Sequence, residues 1–305
     1  MTPPPAANLI TRMAPTPSGY LHIGNGLSFV LTWVLARAYG GQVLLRIDDL
    51  DRQRYRPEYV EDIFETLDWL GLDYDLGPNG LDDFEANYSQ LHRLGLYREL
   101  LEQIREAGLV YGCTCSRKRI RMTAISGNLY DGHCRSTGIP LAGDGVAWRV
   151  LLPPQARVRF REWPENSWQT KNLRQGMGDF VIQKKDGFPA YQLASLADDY
   201  HWNINFVVRG EDLLWSTAAQ YWLAERLKIE SFTQAEFWHH RLLMDDSGEK
   251  LAKSKGANAL RSWRESGKGP TEIYRIAAQV LDLPLEAGDT LSTLCQQLKN
   301  SLQGG

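Results

Sequence analysis

The run LITRMAPTPSGYLHIGNG, residues 9–26, constrains this chain more than any other stretch. A short apolar segment passes into a turn with two prolines, and a long helical pattern follows at once. A strand, a tight turn and a helix start in that order gather free backbone N–H groups at the positive end of a helix dipole. His22 and Gly24 fall at that point. A glycine lets an anion approach the backbone, and an imidazole can donate to a phosphate oxygen. Alone, an H-x-G is ordinary turn chemistry; with a suitable partner elsewhere it is half of a nucleotide site.

The rhythm continues beyond this unit. LITRMAP reads as a buried strand and Leu21 to Tyr39 as a helix, with Leu27, Leu31, Val34, Leu35 and Ala38 near helical spacing and Gly40-Gly41 ending it. QVLLRID is a second strand without alternation, as expected for burial on both faces. RPEYVEDIFETLDWLG is a helix opened by Pro57 and closed by Gly71, with Val60, Phe64, Leu67 and Leu70 inward. Strand, helix, strand, helix at this spacing predicts a parallel, doubly wound α/β sheet.

A further helix is expected from about Tyr88 to Gly108. The character then changes: CTCSRKRIRMTAISGNLYDGHCR is basic, irregular and cysteine-bearing. VAWRVLLP, ARVRFREW and DFVIQKKDGFPAYQLA read as strands, the last pair turning at Asp186-Gly187. The helix ASLADDYH, the strand INFVVRG and the helix STAAQYWLAERLK restore the α/β rhythm. Residues 1–105 and 191–242 are thus the two halves of a nucleotide-binding domain, 106–190 an α+β insertion, and 243–305 a lysine-bearing loop and a short helical end.

With 43% apolar and 23% charged residues and a net charge of −3, nothing in the bulk composition announces a polyanion partner, so any basic surface must be local. No run is long and apolar enough to span a bilayer, and MTPPPAANL lacks the regions of a signal peptide. A cytoplasmic location and no membrane partner are expected. Three of the four cysteines crowd between residues 113 and 134, which favours a metal over a disulfide framework. Cys295 stands apart and is expected to be structural.

The partner of H-x-G is EKLAKSKGAN, where Lys250 and Lys253 make a cationic loop. The two phrases, HIGN and KLAKS, resemble the HIGH and KMSKS signatures of class I aminoacyl-tRNA synthetases. RMAPTPSGYLHIGN, LRIDDLDRQRY, LDWLGLDYDLGP, DGFPAYQLASLADDY and VVRGEDLLWST resemble glutamyl-tRNA synthetases, from about Thr11 to Ala259. GLVYGCTCSRKRIR…LYDGHCR is especially similar to the glutamyl-queuosine tRNA(Asp) synthetases, a group without the large helical anticodon-binding region. The resemblance implies a class I Rossmann-like sheet with a zinc-bearing insertion. It also implies activation of glutamate by ATP, with Mg2+ and without tRNA, and transfer to queuosine of tRNA(Asp) by a monomer.

Adenylate formation brings two anions together and must neutralise developing charge. His22 and Gly24 are expected at the ATP phosphates, with Lys250 and Lys253 over the departing pyrophosphate. By resemblance, Arg12 and Arg209 grip the glutamate carboxylates, as paired guanidinium forks can. Tyr191, with Thr16 or Ser195, adds hydroxyls, and Asp48 answers the ammonium. The family pattern RIED carries a glutamate where this chain has Asp48, a reach shorter by roughly 1.3–1.5 Å. Asp49 and Asp51 can equally be loop or capping residues.

Cys113, Cys115 and Cys134 supply three thiolates for a tetrahedral zinc. For the fourth ligand, general zinc chemistry favours His133, whereas the resemblance implies Tyr130. The basic run RKRIR can meet RNA phosphate or simply face solvent. Rival functions are a truncated glutamyl-tRNA synthetase charging a tRNA 3′ end, a glutamate-adenylating ligase with a non-RNA acceptor, and an inactive RNA-binding paralogue.

Overall fold

The structure is a computed structural model describing residues 8–124, 129–243 and 259–303. In chain order it begins with β1 (Ile10–Met13), α1 (Ile23–Ala38), β2 (Gln42–Leu45), α2 (Pro57–Trp69) and α3 (Leu94–Glu106). Next come β3 (Val110–Cys113), α4 (Arg117–Thr123), β4 (Ala147–Val150), β5 (Arg157–Glu162), β6 (Ser167–Asn172) and β7 (Val181–Gln183). The remainder is α5 (Tyr191–His201), β8 (Phe206–Gly210), α6 (Leu214–Leu227), β9 (Glu236–His240), α7 (Leu260–Glu265), α8 (Thr271–Val280) and α9 (Leu291–Gln303).

Strands β1 and β2 pair in parallel, Ile10 opposite Gln42 and Met13 opposite Leu45. The pairing runs on past their ends, where Arg46 and Asp48 N–H groups donate to the Met13 and Pro15 carbonyls at 2.9 and 2.8 Å. On the other side of β1, Asn205 binds Ile10 twice, accepting from its N–H at 2.8 Å and donating to its carbonyl at 3.1 Å. This brings β8 alongside. Strands β8, β9, β5 and β6 follow in that order, parallel except for the β5–β6 hairpin at the edge.

The expected α/β sheet is present, and three local readings change. The helix expected from Tyr88 begins at Leu94, after a 3-10 turn at Gln90–Arg93. The Ser89 hydroxyl caps that turn at Leu91, and Asp49 accepts from the Gln90 N–H, so side chains hold a tighter turn there. Gly187 does turn the chain with φ +81°, but the second arm is one bridge, Gln183 to Pro189, before α5 starts at Tyr191. The stretch 106–190 also divides. Strands β3, β4 and β7 form their own antiparallel sheet, whereas β5–β6 joins the main sheet through Glu162 opposite Phe237 and a Trp163 N–H to Phe237 carbonyl bond at 2.8 Å. The apolar alternation Val158, Phe160 on β5 belongs to a large sheet's core rather than to a small inserted one.

Two apolar cores flank the main sheet. One gathers α1, β1, β2 and α2 with Ile273, Tyr274, Leu294 and Leu298 of the last helices. The other gathers α3, α5 and α6 around Trp222, Phe160 and Phe237. The C-terminal helices are therefore part of the first core. Leu298→Ala, at a fully buried position, should cost about 2–5 kcal/mol, read from the urea midpoint. A loss below about 1 kcal/mol would mean that these helices are dispensable to that core.

Candidate active site

The carboxyl ends of β1, β8 and β9, the N-terminus of α1 and the first residue of α5 enclose a cleft of about 240 Å³. Ligands of open parallel sheets bind at such strand ends. Arg12, Arg46, Arg209, Tyr191, His22 and His240 are among the residues lining it.

His22 is the N-cap of α1. Its Nδ1 accepts from the Asn25 N–H at 3.3 Å, and Asn25 Oδ1 accepts from the His22 N–H at 3.0 Å. This reciprocal box satisfies two N–H groups at the helix start. With Nδ1 accepting, a neutral imidazole carries its proton on Nε2, the tautomer that donates. A Cβ on Gly24 would come within 3.1 Å of the His22 ring. The glycine thus makes room for the imidazole itself. Ser28, one turn on, meets His240 Nε2 at 2.7 Å, joining α1 to the end of β9 across the cleft.

Beneath the cleft lies a group of buried charges. Arg46 Nε and Nη2 donate to the two oxygens of Asp48 at 2.7 and 3.0 Å, Nη1 donates to Asp199 at 2.6 Å, and Nη2 also donates to Ser195 Oγ at 3.2 Å. Arg12 Nε donates to the same Asp199 oxygen at 3.0 Å. Asp198 accepts from Arg93 at 2.7 Å, the Tyr97 hydroxyl at 2.6 Å and Gln90 at 2.7 Å. Burial pushes the Asp48 carboxyl up to about 6 against the pull of Arg46. Asp199, although fully buried, is held below the usual carboxylate range by Arg12 and Arg46.

Arg209 differs from the other three arginines. It is 4% exposed, and only Nη1 has a partner, Gln220 Oε1 at 3.1 Å. Its Nε and Nη2 are buried without a hydrogen-bond partner among the described residues. Burial brings its pKa down to about 10, so it stays charged at neutral pH. Arg12, Arg46, Arg93 and Arg209 thus face Asp48, Asp198 and Asp199, and Arg209 is the charge without a carboxylate. A buried cation in that state calls for an anion from outside.

Of the residues expected from sequence, Arg12, His22, Gly24, Tyr191 and Arg209 come together at the cleft. Asp48 is absent from the lining, with both oxygens accepting from Arg46, and Thr16 is exposed outside it. Ser195 accepts from Arg46 beneath the cleft. Asp49 accepts from Ser89 and the Gln90 backbone, and Asp51 pairs with Arg54, so both serve local structure. Lys250 and Lys253 lie outside the described residues. Arg46, Gln220 and His240 were not anticipated. For Arg46 a signal existed: it stands two residues before Asp48 in an extended segment, and alternate residues share a face.

Residues 8–279 match the family described as tRNA synthetases class I (E and Q), catalytic domain. The chain belongs to this family. It is 35% identical over 289 residues to the glutamyl-Q tRNA(Asp) synthetase of Rhodobacter capsulatus, covering 88% of this chain and 99% of that protein. It is also 35% identical over 279 residues to glutamate–tRNA ligase 2 of Syntrophus aciditrophicus, covering 88% of this chain and 56% of that one. The chain spans about half the length of the glutamate–tRNA ligases it matches. Its fold follows the glutamate–tRNA synthetase of Elizabethkingia anophelis with a TM-score of 0.73 at 24% identity, over 95% of this chain and 65% of that one.

In this synthetase-family member the inserted sheet carries a second cluster. The thiol sulfurs of Cys113, Cys115 and Cys134 lie within 4.8 Å of one another. The Tyr130 oxygen is 3.5 Å from Cys113 Sγ and from Cys115 Sγ, and accepts from the Cys134 N–H at 2.8 Å. A zinc–sulfur bond of about 2.3 Å sets tetrahedron edges of about 3.8 Å, close to these separations. Arg149 donates to Cys113 Sγ at 3.3 Å and lies 3.9 Å from the Tyr130 ring centre, a cation beside ligands that must be anionic. Burial raises the Cys134 thiol, but hydrogen bonds from Tyr130 and the Thr114 backbone bring it down to about 7. The residues fit a structural zinc, which would tie β3 to the 130–134 loop. His133 is exposed and outside the cluster, so the geometry favours Tyr130 as fourth ligand.

Two outcomes test these assignments. The purified chain should carry about one zinc; Tyr130→Phe should weaken zinc retention against a chelator and His133→Ala should not, and the reverse pattern would restore histidine. In the charge cluster, Arg46→Gln strands buried carboxylates and should cost about 3–5 kcal/mol of unfolding free energy. Arg209→Gln removes a charge without a partner and should leave stability unchanged or higher. Equal losses in both would show that Arg209 is a structural cation.

Proposed function

We propose that this chain condenses glutamate with ATP to glutamyl-adenylate without RNA, then transfers the glutamyl group to the queuosine of tRNA(Asp). The observation that carries the reading is Arg209, a buried guanidinium on the cleft wall with two nitrogens unused and no carboxylate of its own. A dicarboxylic amino acid supplies what is lacking, and Arg12 and Tyr191 stand on the same wall. Similarity to the Rhodobacter capsulatus glutamyl-Q tRNA(Asp) synthetase over nearly all of that protein supports the acceptor.

In the first step a glutamate carboxylate oxygen attacks the α-phosphorus of ATP, forming the acyl–phosphate bond and releasing pyrophosphate. His22 Nε2–H and the first turn of α1 face the phosphates, where preorganised donors act without reorganising. Mg2+, arriving with ATP, supplies further charge neutralisation. Lys250 and Lys253 are assigned to the departing pyrophosphate. Asp48 keeps its assignment to the ammonium: each carboxylate oxygen has a lone pair beyond the one used by Arg46. In the second step a queuosine hydroxyl attacks the activated carbonyl and AMP leaves.

The equal identity to Syntrophus aciditrophicus glutamate–tRNA ligase 2 favours one alternative acceptor, the 3′ end of a tRNA. Labelled glutamate separates the two. Transfer should occur to queuosine-bearing tRNA(Asp) and not to the same tRNA lacking queuosine. Periodate oxidises the cis-diol of queuosine as well as that of the 3′ ribose, so removing the 3′-terminal adenosine, rather than oxidising it, should leave transfer intact. Charging of queuosine-free tRNA would establish the alternative. Glutamate-dependent ATP–pyrophosphate exchange should proceed without RNA, and Arg209→Gln should abolish it. Lys253→Ala should lower its rate far more than it weakens glutamate binding. Absence of exchange with glutamate would remove the proposal.

A further inference from the structure

The outer face of the β5–β6 hairpin takes no part in the cleft or the thiol cluster. On β5, Arg157, Arg159 and Arg161 are exposed while Val158, Phe160 and Glu162 are buried. Alternate residues share a strand face, so the three arginines leave it in a row with Cα atoms about 7 Å apart. Across the ladder they are opposed by Asn172, Thr170 and Trp168, which project to the same side. One carboxylate shares that face: the register of β5 with β9 sets the buried Glu236 beside Arg161. Glu162 turns to the opposite face, to His239 at 2.9 Å, and Arg161 feels the Glu236 charge through space. In a chain of net charge −3, this is a local concentration of positive charge.

Trp168 is 47% exposed, with the Arg159 and Arg161 guanidinium groups 4.3 and 5.2 Å from its ring centre. Among the described residues none of the three guanidinium groups forms an ion pair or hydrogen bond, so their N–H donors are unspent. Protection of a sheet edge does not account for them. The edge strand is β6, where Lys171 already stands, and the arginines lie on its neighbour.

We propose that this face binds the phosphate backbone of an RNA strand, with Trp168 offering a stacking surface to a base. The chemistry selects nucleic acid: a row of guanidinium forks suits phosphates, and a half-exposed indole suits a base. An acidic peptide would use the cations and leave the indole without a purpose. Strand β5 lies two strand spacings, about 10 Å, from β8, and its register sets the three arginines toward the amino ends of β8 and β9, on the sheet face opposite Arg209. The inference rests on the reading that RNA is a substrate of this chain; the face itself has no part in activation.

The test uses the full chain and bulk tRNA, with binding measured between about 50 and 200 mM salt. Arg159→Gln with Arg161→Gln should weaken binding at least tenfold at the lower salt and reduce the slope of log K against log salt by about 1.4–1.8. Trp168→Ala should weaken binding with the slope unchanged. RNA-free ATP–pyrophosphate exchange should be unaltered in all variants, which reports fold and cleft together. Unchanged affinity and slope with intact exchange would overturn the proposal. So would polyglutamate competing as well as tRNA for the parent protein while losing affinity equally in the variants, which would assign the face to an acidic protein. Failure of exchange in the parent would remove the proposed activation chemistry and leave the salt slopes to decide the face.

Discussion

The Arg46 guanidinium, 3% exposed, holds Asp48, Asp199 and Ser195 at once. Through Asp199 it is tied to Arg12 on β1, and α5 carries both Asp199 and its neighbour Asp198. Asp198 extends the group to Arg93, Tyr97 and Gln90 on the far side of the sheet. Charges this deep are tolerable only because each has several partners, since desolvation outweighs a single Coulomb contact. Elements from both apolar cores are fixed by one set of carboxylates. The geometry of the cleft wall follows from that set, and its uncompensated member, Arg209, is positioned by Gln220 instead of by an acid.

Much of this was readable from residues alone. The strand–turn–helix unit from Ile10 to Ala38 follows from apolar spacing and the glycine and proline punctuation. Arg12 and Arg209 came from the resemblance of their motifs to glutamyl-tRNA synthetases, and the thiol cluster from three cysteines within a short basic stretch. Other features depend on distant partners. The Arg46–Asp199 contact joins residues 153 apart, so only the local Arg46–Asp48 half had a signature in the chain. Gly24 reads as room for a phosphate until the His22 ring is seen beside its missing Cβ. The allegiance of β5 is invisible locally, since alternation shows that one face is buried but not against what.

The route of the chain explains the divided insertion. After α3 it leaves the main sheet for β3 and β4, returns for the hairpin, leaves again for β7 and returns with α5. Glu162, at the end of the returning strand β5, accepts from the His239 backbone N–H at 2.7 Å, and His239 adjoins His240 at the cleft. The thiol-bearing sheet is therefore anchored to the main sheet at more than its two ends.

The bond pair between Ile10 and Asn205 spans 195 residues. A ribosome adding roughly 5–20 residues per second needs on the order of ten seconds or more to cover that distance. During that time β1 has emerged with one side paired at most, by β2, and its other edge waiting. The strand that closes this edge is β8, which also carries Arg209. Sheet completion and delivery of the unpaired guanidinium are one event in the life of the nascent chain, so the cleft cannot exist in a half-made protein.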